Sequence, residues 1–327
     1  MNRIPLFLGF LLLLAIPSAS WRTADRVLLF PKLYVGQILR YQVGFRSTTK
    51  TDTESSVAAP MAPSGGQTNA NLFLQVEVED LRNDAGDNMA RLRVQIVEPD
   101  AVSAKSGAPR NTEQNASGAV ASGKPGKTIE FTLRTGGLVT DIEGVDKLSP
   151  DERAAWQEWV DRFGGAAAFP EKGVKPGEKW KTDEPIPNAL LAWLSWEKES
   201  EYVNDAPCFA MKLTAAGDPA AGPQSEETCA VILTTAILKQ KSSPKNATPE
   251  DYKLHDLRNT GTASGKNQVI SYFSLKTGLV VRATEDANQS MSVTVATADG
   301  SNRVHYTITA ESHARVLLLA DPPANHP

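Results

Sequence analysis

The sequence predicts a mainly antiparallel β protein of the α+β class, built as one curved sheet or partial barrel with one amphipathic helix. Three observations support this. Apolar and polar residues alternate along many stretches, turn-forming residues separate those stretches, and one segment carries a strong helical pattern. A period of two places the apolar side chains on one face of a strand, as in a half-buried sheet. The chain of 327 residues is long enough for one large β domain or two smaller ones.

The N-terminus predicts a secretory signal peptide over residues 1–20. Arg3 supplies a positive charge, residues 4–16 form an uncharged apolar run, and residues 18–20 are small, which suits cleavage after Ser20. A membrane anchor is the alternative, but the run is shorter than the roughly 20 residues that span a bilayer. We expect a secreted or periplasmic protein that is not an integral membrane protein after signal cleavage.

Charge and cysteine content narrow the function classes. The formal net charge is −4 and no basic block occurs, so a nucleic-acid partner is not expected. Cys208 and Cys229 are the only cysteines, and in an oxidising compartment such a pair most often forms a disulfide. Two buried free thiols are the alternative. Neither cysteine lies in a C-x-x-C arrangement, which disfavours redox catalysis and zinc binding.

Alternating stretches predict strands along the first half of the chain. One strand begins near Leu33 and continues into the Thr-rich stretch 47–56, where both faces become polar. A hairpin follows, with strands over 72–79 and 90–96 and a turn over 82–88 that contains Asn, Asp and Gly.

Residues 149–164 carry the clearest helical signal. Ser149 is the predicted N-cap, Pro150 occupies the first helical position, and Glu152 completes a capping box. Gly164 is the predicted terminator. An apolar stripe with helical spacing is formed by Trp156, Trp159, Val160 and Phe163. Such a stripe usually packs into a core. The alternative is a helix that closes a ligand cavity, with Trp156, Trp159 and Phe163 as candidate lining residues.

Two stretches look like copies of one hairpin. Residues 129–144 and 270–286 both run through Phe-x-Leu, a basic residue and Thr-Gly. The glycine in each copy is expected to supply a positive φ in the turn. Further matching landmarks extend the prediction to internal repeats over 33–165 and 174–320, within a single β-rich domain over 21–327. The predicted equivalent inward positions are Phe131 with Leu133 and Phe273 with Leu275.

The second half continues the β pattern. Residues 229–238 are apolar on both faces, which predicts a strand in the middle of the sheet. A hairpin around the Gly/Pro-rich stretch 216–225 is expected to bring Cys208 opposite Cys229. Strands near 252–258 and 267–276 lead into the second hairpin, and a long alternating strand ends the sequence.

The sequence carries no recognisable catalytic motif. Lys276-Thr277-Gly278 matches a triplet of penicillin-binding proteins, but no S-D-N occurs and neither S-x-x-K match opens an apolar helix. The four histidines form neither H-x-H nor H-E-x-x-H. A row of glutamates, Glu197, Glu199 and Glu201, is expected to be a solvated strand face and not a calcium site. We therefore expect no cofactor, no metal site and no enzyme activity.

Residues 269–284, with their strand and Lys-Thr-Gly turn, resemble the periplasmic lipoprotein-carrier (LolA-like) superfamily. The resemblance implies a curved antiparallel sheet covered by helices. Ser274 stands where that family usually has Asp, and this chain is longer, so it looks more like a secreted bacterial β-rich protein of unknown function. The resemblance carries over no functional residue.

Three functional hypotheses follow from the sequence. The first is a non-catalytic exported protein that binds an apolar small molecule, a lipid or an envelope protein on a face of its sheet. The second is a structural or interaction module of the cell envelope, in which strand 47–56 pairs edge to edge with a partner. The third is a hydrolase whose catalytic groups come together only in the fold.

Overall fold

The structure is a computed structural model of the 327-residue chain. It describes residues 25–56, 63–84, 87–98, 121–122, 125–164, 169–186, 189–208, 211–213, 219–221 and 227–320. The predicted signal peptide and its cleavage site lie outside the described residues.

Fourteen strands and two α-helices occur in the described ranges. The strands are β1 (Ile38–Ser55), β2 (Ser64–Asp84), β3 (Asp87–Val97), β4 (Ala121–Ser122), β5 (Thr128–Arg134), β6 (Val139–Glu143), β7 (Lys179–Pro185), β8 (Leu194–Pro207), β9 (Met211–Leu213), β10 (Pro219–Ala221), β11 (Thr228–Gln240), β12 (Leu257–Ser274), β13 (Val280–Thr297) and β14 (Arg303–Leu318). The helices are α1 (Pro150–Phe163) and α2 (Glu250–Leu254).

Eleven strands form one open antiparallel sheet in the order β6-β5-β3-β2-β1-β14-β13-β12-β11-β8-β7. The short β4 pairs in parallel with β2, and β9 pairs with β10 apart from the main sheet. The predicted fold class is therefore confirmed. Each predicted repeat contributes a run of strands that are neighbours in chain order, and the pairing of β1 with β14 joins the two runs. The duplication itself stays a prediction.

The main core lies on the face of the sheet that α1 covers. In β1 the side chains of Leu39, Tyr41 and Val43 are buried there. Their neighbours on β2 and β14 continue the same apolar face, for example Leu74 and Val316. The alternation seen in the sequence arises because this face is covered by the helix while the opposite face carries polar side chains.

Helix α1 begins and ends where the sequence predicts. The Ser149 hydroxyl accepts from the backbone N–H of Glu152, and the Glu152 carboxylate accepts from the backbone N–H of Ser149 at 2.7 Å, which completes the capping box. Pro150 occupies the first helical turn and Gly164 is the C-cap. The Glu152 carboxylate also forms an ion pair with Lys127, the residue just before β5. The capping box therefore also fixes the helix to the sheet.

The two Thr-Gly turns have the predicted backbone conformation. Gly136 joins β5 to β6 with φ of 80°, and Gly278 joins β12 to β13 with φ of 68°. Phe131 and Leu133 are buried before the first turn, while Phe273 is buried and Leu275 is partly buried in the same core before the second.

The segment before β1 crosses over the second Thr-Gly turn. The backbone N–H of Lys32 donates to the carbonyl of Thr277 at 2.7 Å. Earlier in this segment, Val27 exchanges two backbone hydrogen bonds with Val174, and Gly36 later donates to Val78 of β2. Residues 27–36 therefore connect the strands of the second half with those of the first.

Three details of the sequence prediction are wrong. The strands predicted near 252–258 and 267–276 are one continuous strand, β12 (Leu257–Ser274). Residues 250–254 form helix α2 and not part of a strand: Pro249 precedes it, and Glu250 and Asp251 occupy its first turn, where carboxylates favour a helix N-terminus. The Thr-rich stretch 47–56 is not a free edge. Residues 47–55 of β1 pair with β14, and residues 47–51 also pair with β2, because Thr supports strand formation even where both faces are polar.

Candidate functional site between the helix and the sheet

Helix α1 contacts the sheet through its aromatic stripe. Trp156 and Phe163 are each 2% exposed, and Trp159 is fully buried. The Trp159 ring lies 5.8 Å from the Tyr41 ring and 6.0 Å from the Phe131 ring, both in edge-to-face arrangements, and stacks on Phe163 at 4.9 Å. These distances are those of attractive aromatic pairs. The stripe is thus packed against β1 and β5.

The packing leaves two polar groups without partners. The indole N–H groups of Trp156 and Trp159 are buried and have no hydrogen-bond acceptor in the described part of the chain. The nearby Tyr41 is satisfied, because its hydroxyl donates to the Val280 carbonyl at 3.2 Å. Burial raises the pKa of Tyr41, so this hydroxyl stays protonated. A buried unsatisfied donor costs about 1–3 kcal/mol, so each of these two N–H groups needs an explanation.

The other side of α1 meets the sheet through polar groups. The Arg162 guanidinium forms an ion pair with Glu285 on β13, and Asn267 on β12 donates to the same carboxylate at 2.7 Å. Arg162 also lies 3.5 Å from Glu158, one turn earlier on the helix. Burial raises the pKa of Glu158, although the positive charges of Arg162 and Lys198 act in the opposite direction. Charged contacts therefore hold the second face of the helix.

A cleft of about 370 Å³ opens at the end of α1, between the two edge strands of the sheet. Leu138 and Val139 at the start of β6 line one side, and Thr182 and Glu184 of β7 line the other. Since β6 and β7 are the first and last strands of the sheet, their approach shows that the sheet curves around the helix.

Asp161 lies on the helix side of this cleft. Burial among the surrounding atoms raises its pKa to about 6, and its hydrogen bond from Gln157 opposes that rise. The residue itself is nevertheless exposed to solvent. A raised carboxyl pKa inside a cleft is a feature of functional sites.

The structure brings the three candidate residues of the helix together in the core. Trp156, Trp159 and Phe163 do not line the larger solvent-open clefts described on the surface of the protein. Their role in ligand binding stays a prediction, while their packing against the sheet is observed.

The polar side of the helix is not predicted by the helical pattern of the sequence. One signal was present: Glu285 occupies an inward position of β13 between Ala283 and Ala287, where the alternation calls for an apolar residue. A charge at such a position needs a partner. That partner, Arg162, could not be identified, because it lies more than a hundred residues earlier and on a different element.

Cys208 and Cys229 form the predicted disulfide. Cys229 lies near the start of β11, and Cys208 follows the end of the neighbouring β8. The backbone N–H of Cys208 donates to the Glu227 carbonyl at 2.8 Å. This hydrogen bond and the disulfide together close the connection between β8 and β11. A disulfide of this kind is typical of exported proteins.

The two histidines of β14, His305 and His313, contact polar side chains of β13. His305 contacts the Thr294 hydroxyl at 2.9 Å through Nδ1 and the Ser292 hydroxyl at 3.4 Å through Nε2. In a Ser-His-Asp arrangement, a carboxylate accepts from Nδ1 of the histidine. In His305 this nitrogen contacts the Thr294 hydroxyl instead. His313 is exposed and contacts Asp286. Within the described ranges, no group of three or more potential ligands could hold a metal ion.

The glutamates of β8 form a solvated face. Glu199 and Glu201 lie 3.2 and 3.0 Å from Lys181 and Lys179 on β7, and Glu197 lies 3.9 Å from Lys239 on β11. Each carboxylate therefore has a lysine partner on a neighbouring strand, as expected for an exposed sheet face.

Comparisons with known proteins identify no family. No family model matches the chain, and no curated protein matches it. Among solved structures, it is similar to a protein of Parabacteroides distasonis ATCC 8503 that is described provisionally as a lipoprotein. The two share 8% identity over 87% of this chain and 98% of that chain, with a TM-score of 0.26. These comparisons do not confirm the resemblance to the lipoprotein-carrier superfamily.

No helix among the described residues has the length and apolar character to cross a bilayer.

Proposed function

We propose that this protein is exported and binds an amphiphilic ligand, an apolar chain with an oxygen-bearing head group, between helix α1 and the sheet. It performs this role without catalysing a reaction. The observation that carries the proposal is the pair of buried, unpaired indole N–H groups of Trp156 and Trp159. A carboxylate or ester oxygen entering the interface would accept from them and remove the cost of leaving both donors unsatisfied.

The second support is the way the helix is held. Its aromatic side rests on apolar side chains, so an acyl chain that entered there would meet apolar surface. Its polar side is fixed by the ion pair of Arg162 with Glu285. We infer that the helix tilts about this ion pair to admit the ligand.

The proposal includes the cellular compartment of the protein. The Cys208–Cys229 disulfide supports an oxidising compartment. The apolar run before Ser20 and the small residues at 18–20 support export with cleavage after Ser20. The ligand is therefore expected to be an envelope or extracellular lipid.

The test is lipid binding by the disulfide-bonded mature protein. Native mass spectrometry of protein purified from its own host should show a bound lipid. Titration of delipidated protein with oleate should change the tryptophan emission in a saturable way. Trp159→Phe keeps an aromatic ring but removes the N–H, so its oleate affinity should fall about tenfold, the worth of one charge-assisted hydrogen bond.

The stability of the ligand-free protein provides a second readout. Trp159→Phe removes an unpaired donor but leaves a cavity where the larger indole was, so it should lower the free energy of unfolding by about 1–2 kcal/mol. Trp193→Phe, at an exposed position, is the control and should leave oleate binding unchanged. The proposal fails if no lipid is retained and oleate does not bind, or if Trp159→Phe binds oleate as tightly as the wild type.

An interaction module of the envelope is the second candidate. The surface predicted for this role, strand 47–56, is paired within the sheet and is not available to a partner. The described sheet still ends in β6 and β7, whose outer edges could accept a strand from a partner protein. The lysines and Pro185 of β7 are features that commonly block such pairing, so this candidate ranks second.

A further inference from the structure

Trp193 is the most exposed tryptophan whose surroundings the structure describes. It immediately precedes β8, and 75% of its surface is accessible to solvent. Its φ is 60°, in the left-handed region. A bulky aromatic residue in this region costs about 1–2 kcal/mol relative to glycine. The residue is thus both strained and exposed, which packing does not explain.

The backbone around Trp193 is fixed by hydrogen bonds. The N–H of Ala192 donates to the Ala247 carbonyl at 2.8 Å, and the Trp193 carbonyl accepts from the N–H of Lys241 at 3.0 Å. The Ser242 hydroxyl donates to the Ala192 carbonyl at 2.8 Å. These bonds fix the backbone on both sides of Trp193, and its side chain lies outside the core. Persistent strain of this kind is characteristic of binding positions.

The sheet face beside Trp193 carries an alternating ladder of charges. Lys241 lies directly across from Trp193 and forms an ion pair with Asp183 on β7. Three further lysine–glutamate pairs continue along β7, β8 and β11, namely Lys179–Glu201, Lys181–Glu199 and Lys239–Glu197. The described ladder holds four lysines and four carboxylates, so its formal charges cancel.

A cavity of about 540 Å³, open to solvent, lies over this ladder. Asp183, Glu197, Lys239 and Thr235 line it with hydrogen-bond donors and acceptors, and Ile237 adds one apolar side chain. Asp183 lines the cavity and pairs with Lys241, whose backbone N–H donates to the Trp193 carbonyl. Trp193 does not line the cavity itself, and it lies next to Lys241 at the end of the charge ladder.

We propose that Trp193 and this ladder form a binding site for a neutral saccharide chain. A balanced charge provides no attraction for a phosphate-rich or anionic lipid surface. Ile237 is the one aliphatic residue among the residues that line this cavity, whereas the core of a protein interface gathers several large apolar side chains. A sugar ring presents a face of C–H groups that packs on the electron-rich indole. Its hydroxyl groups both donate and accept, matching lysines and carboxylates that alternate along the groove.

The test uses cellohexaose, maltohexaose and chitohexaose as probes, with binding measured by isothermal titration calorimetry on the mature disulfide-bonded protein. At least one should bind in the micromolar to millimolar range. Trp193→Gly should weaken that binding at least tenfold while leaving the melting temperature equal or higher, because glycine adopts φ of 60° without strain. A melting temperature that is equal to or higher than that of the wild type shows that the loss of binding does not come from unfolding.

Lys241→Met tests the ladder and should weaken binding severalfold. Trp159→Phe is the internal control and should bind saccharide like the wild type, while Trp193→Gly should bind oleate like the wild type. Failure of one proposal is therefore separable from failure of the other. The saccharide proposal is overturned if none of the three probes binds at millimolar concentration, if Trp193→Gly binds as tightly as the wild type, or if Trp193 instead mediates binding to phosphatidylglycerol vesicles.

Discussion

At the scale of single residues, the two Thr-Gly turns separate what sequence can predict from what it cannot. The need for a positive φ at Gly136 and Gly278 follows from the sequence pattern, and both are observed. The environment of the two glycines differs. A Cβ at Gly278 would lie 1.9 Å from the Phe30 carbonyl oxygen, whereas a Cβ at Gly136 meets no atom within 4 Å. No local pattern reports that contact, because it joins segments about 250 residues apart.

This difference yields a matched pair of substitutions. Gly136→Ala introduces only the left-handed conformation, and we expect it to lower the free energy of unfolding by about 1 kcal/mol. Gly278→Ala adds a clash with backbone, and we expect a loss of about 2–4 kcal/mol. Urea unfolding of both variants measures the difference. Equal losses would show that residues 27–36 do not hold the second turn as tightly as the structure indicates.

At the scale of elements, the predictable parts are those with a local cause. Helix α1 is predictable because its capping box, first-turn proline and aromatic stripe all lie within 16 residues. Helix α2 was missed because five residues are too few to show a helical period. The polar side of α1 was missed because its partners lie on β12 and β13, and an ion pair between distant elements leaves no periodic signal.

The contact of Arg162 with Glu285 gives the prediction at this scale. Both side chains are largely buried. Arg162→Met should destabilise the protein by about 3 kcal/mol, because Glu285 is left buried without its cation. Adding Glu285→Met should recover at least half of that loss, since the unpaired charge is gone. Arg153→Met is the control: Arg153 lies on the exposed side of the same helix, and its replacement should cost little. Chemical denaturation of the three variants checks this, and a double variant no more stable than the single one would contradict it.

At the scale of the whole molecule, the sequence predicts the class of the fold but not the order of its strands. Neighbours such as β12 and β13 follow from hairpin turns. The pairing of β1 with β14 joins Tyr41 to Leu318 across almost the whole chain, and neither strand carries a mark that selects the other. This pairing places strand 47–56 in the middle of the sheet. The same limit applies to the candidate site, whose aromatic half is local in sequence and whose polar half is not.

The disulfide tests how the long second half is held together. It joins β8 to β11 across a sequence separation of 21 residues. Closing a loop of that length restricts the unfolded chain and should stabilise the protein by about 3 kcal/mol. Replacing both cysteines with serine should lower the free energy of unfolding by that amount. A single replacement is less informative, because it leaves a free thiol.

The location of the disulfide predicts which strands lose protection from hydrogen exchange when it is removed. Cys229 is paired in register with Ser274, the last residue of β12, so the bond lies beside the second Thr-Gly turn and at a distance in sequence from helix α1. Without it, hydrogen exchange should accelerate first in β8 and β11, because their connection is no longer closed. Amides of β2 and β3, which belong to the first half, should keep their protection until global unfolding. Uniform acceleration across all strands would instead show that the sheet opens as one cooperative unit, with the disulfide stabilising every strand equally.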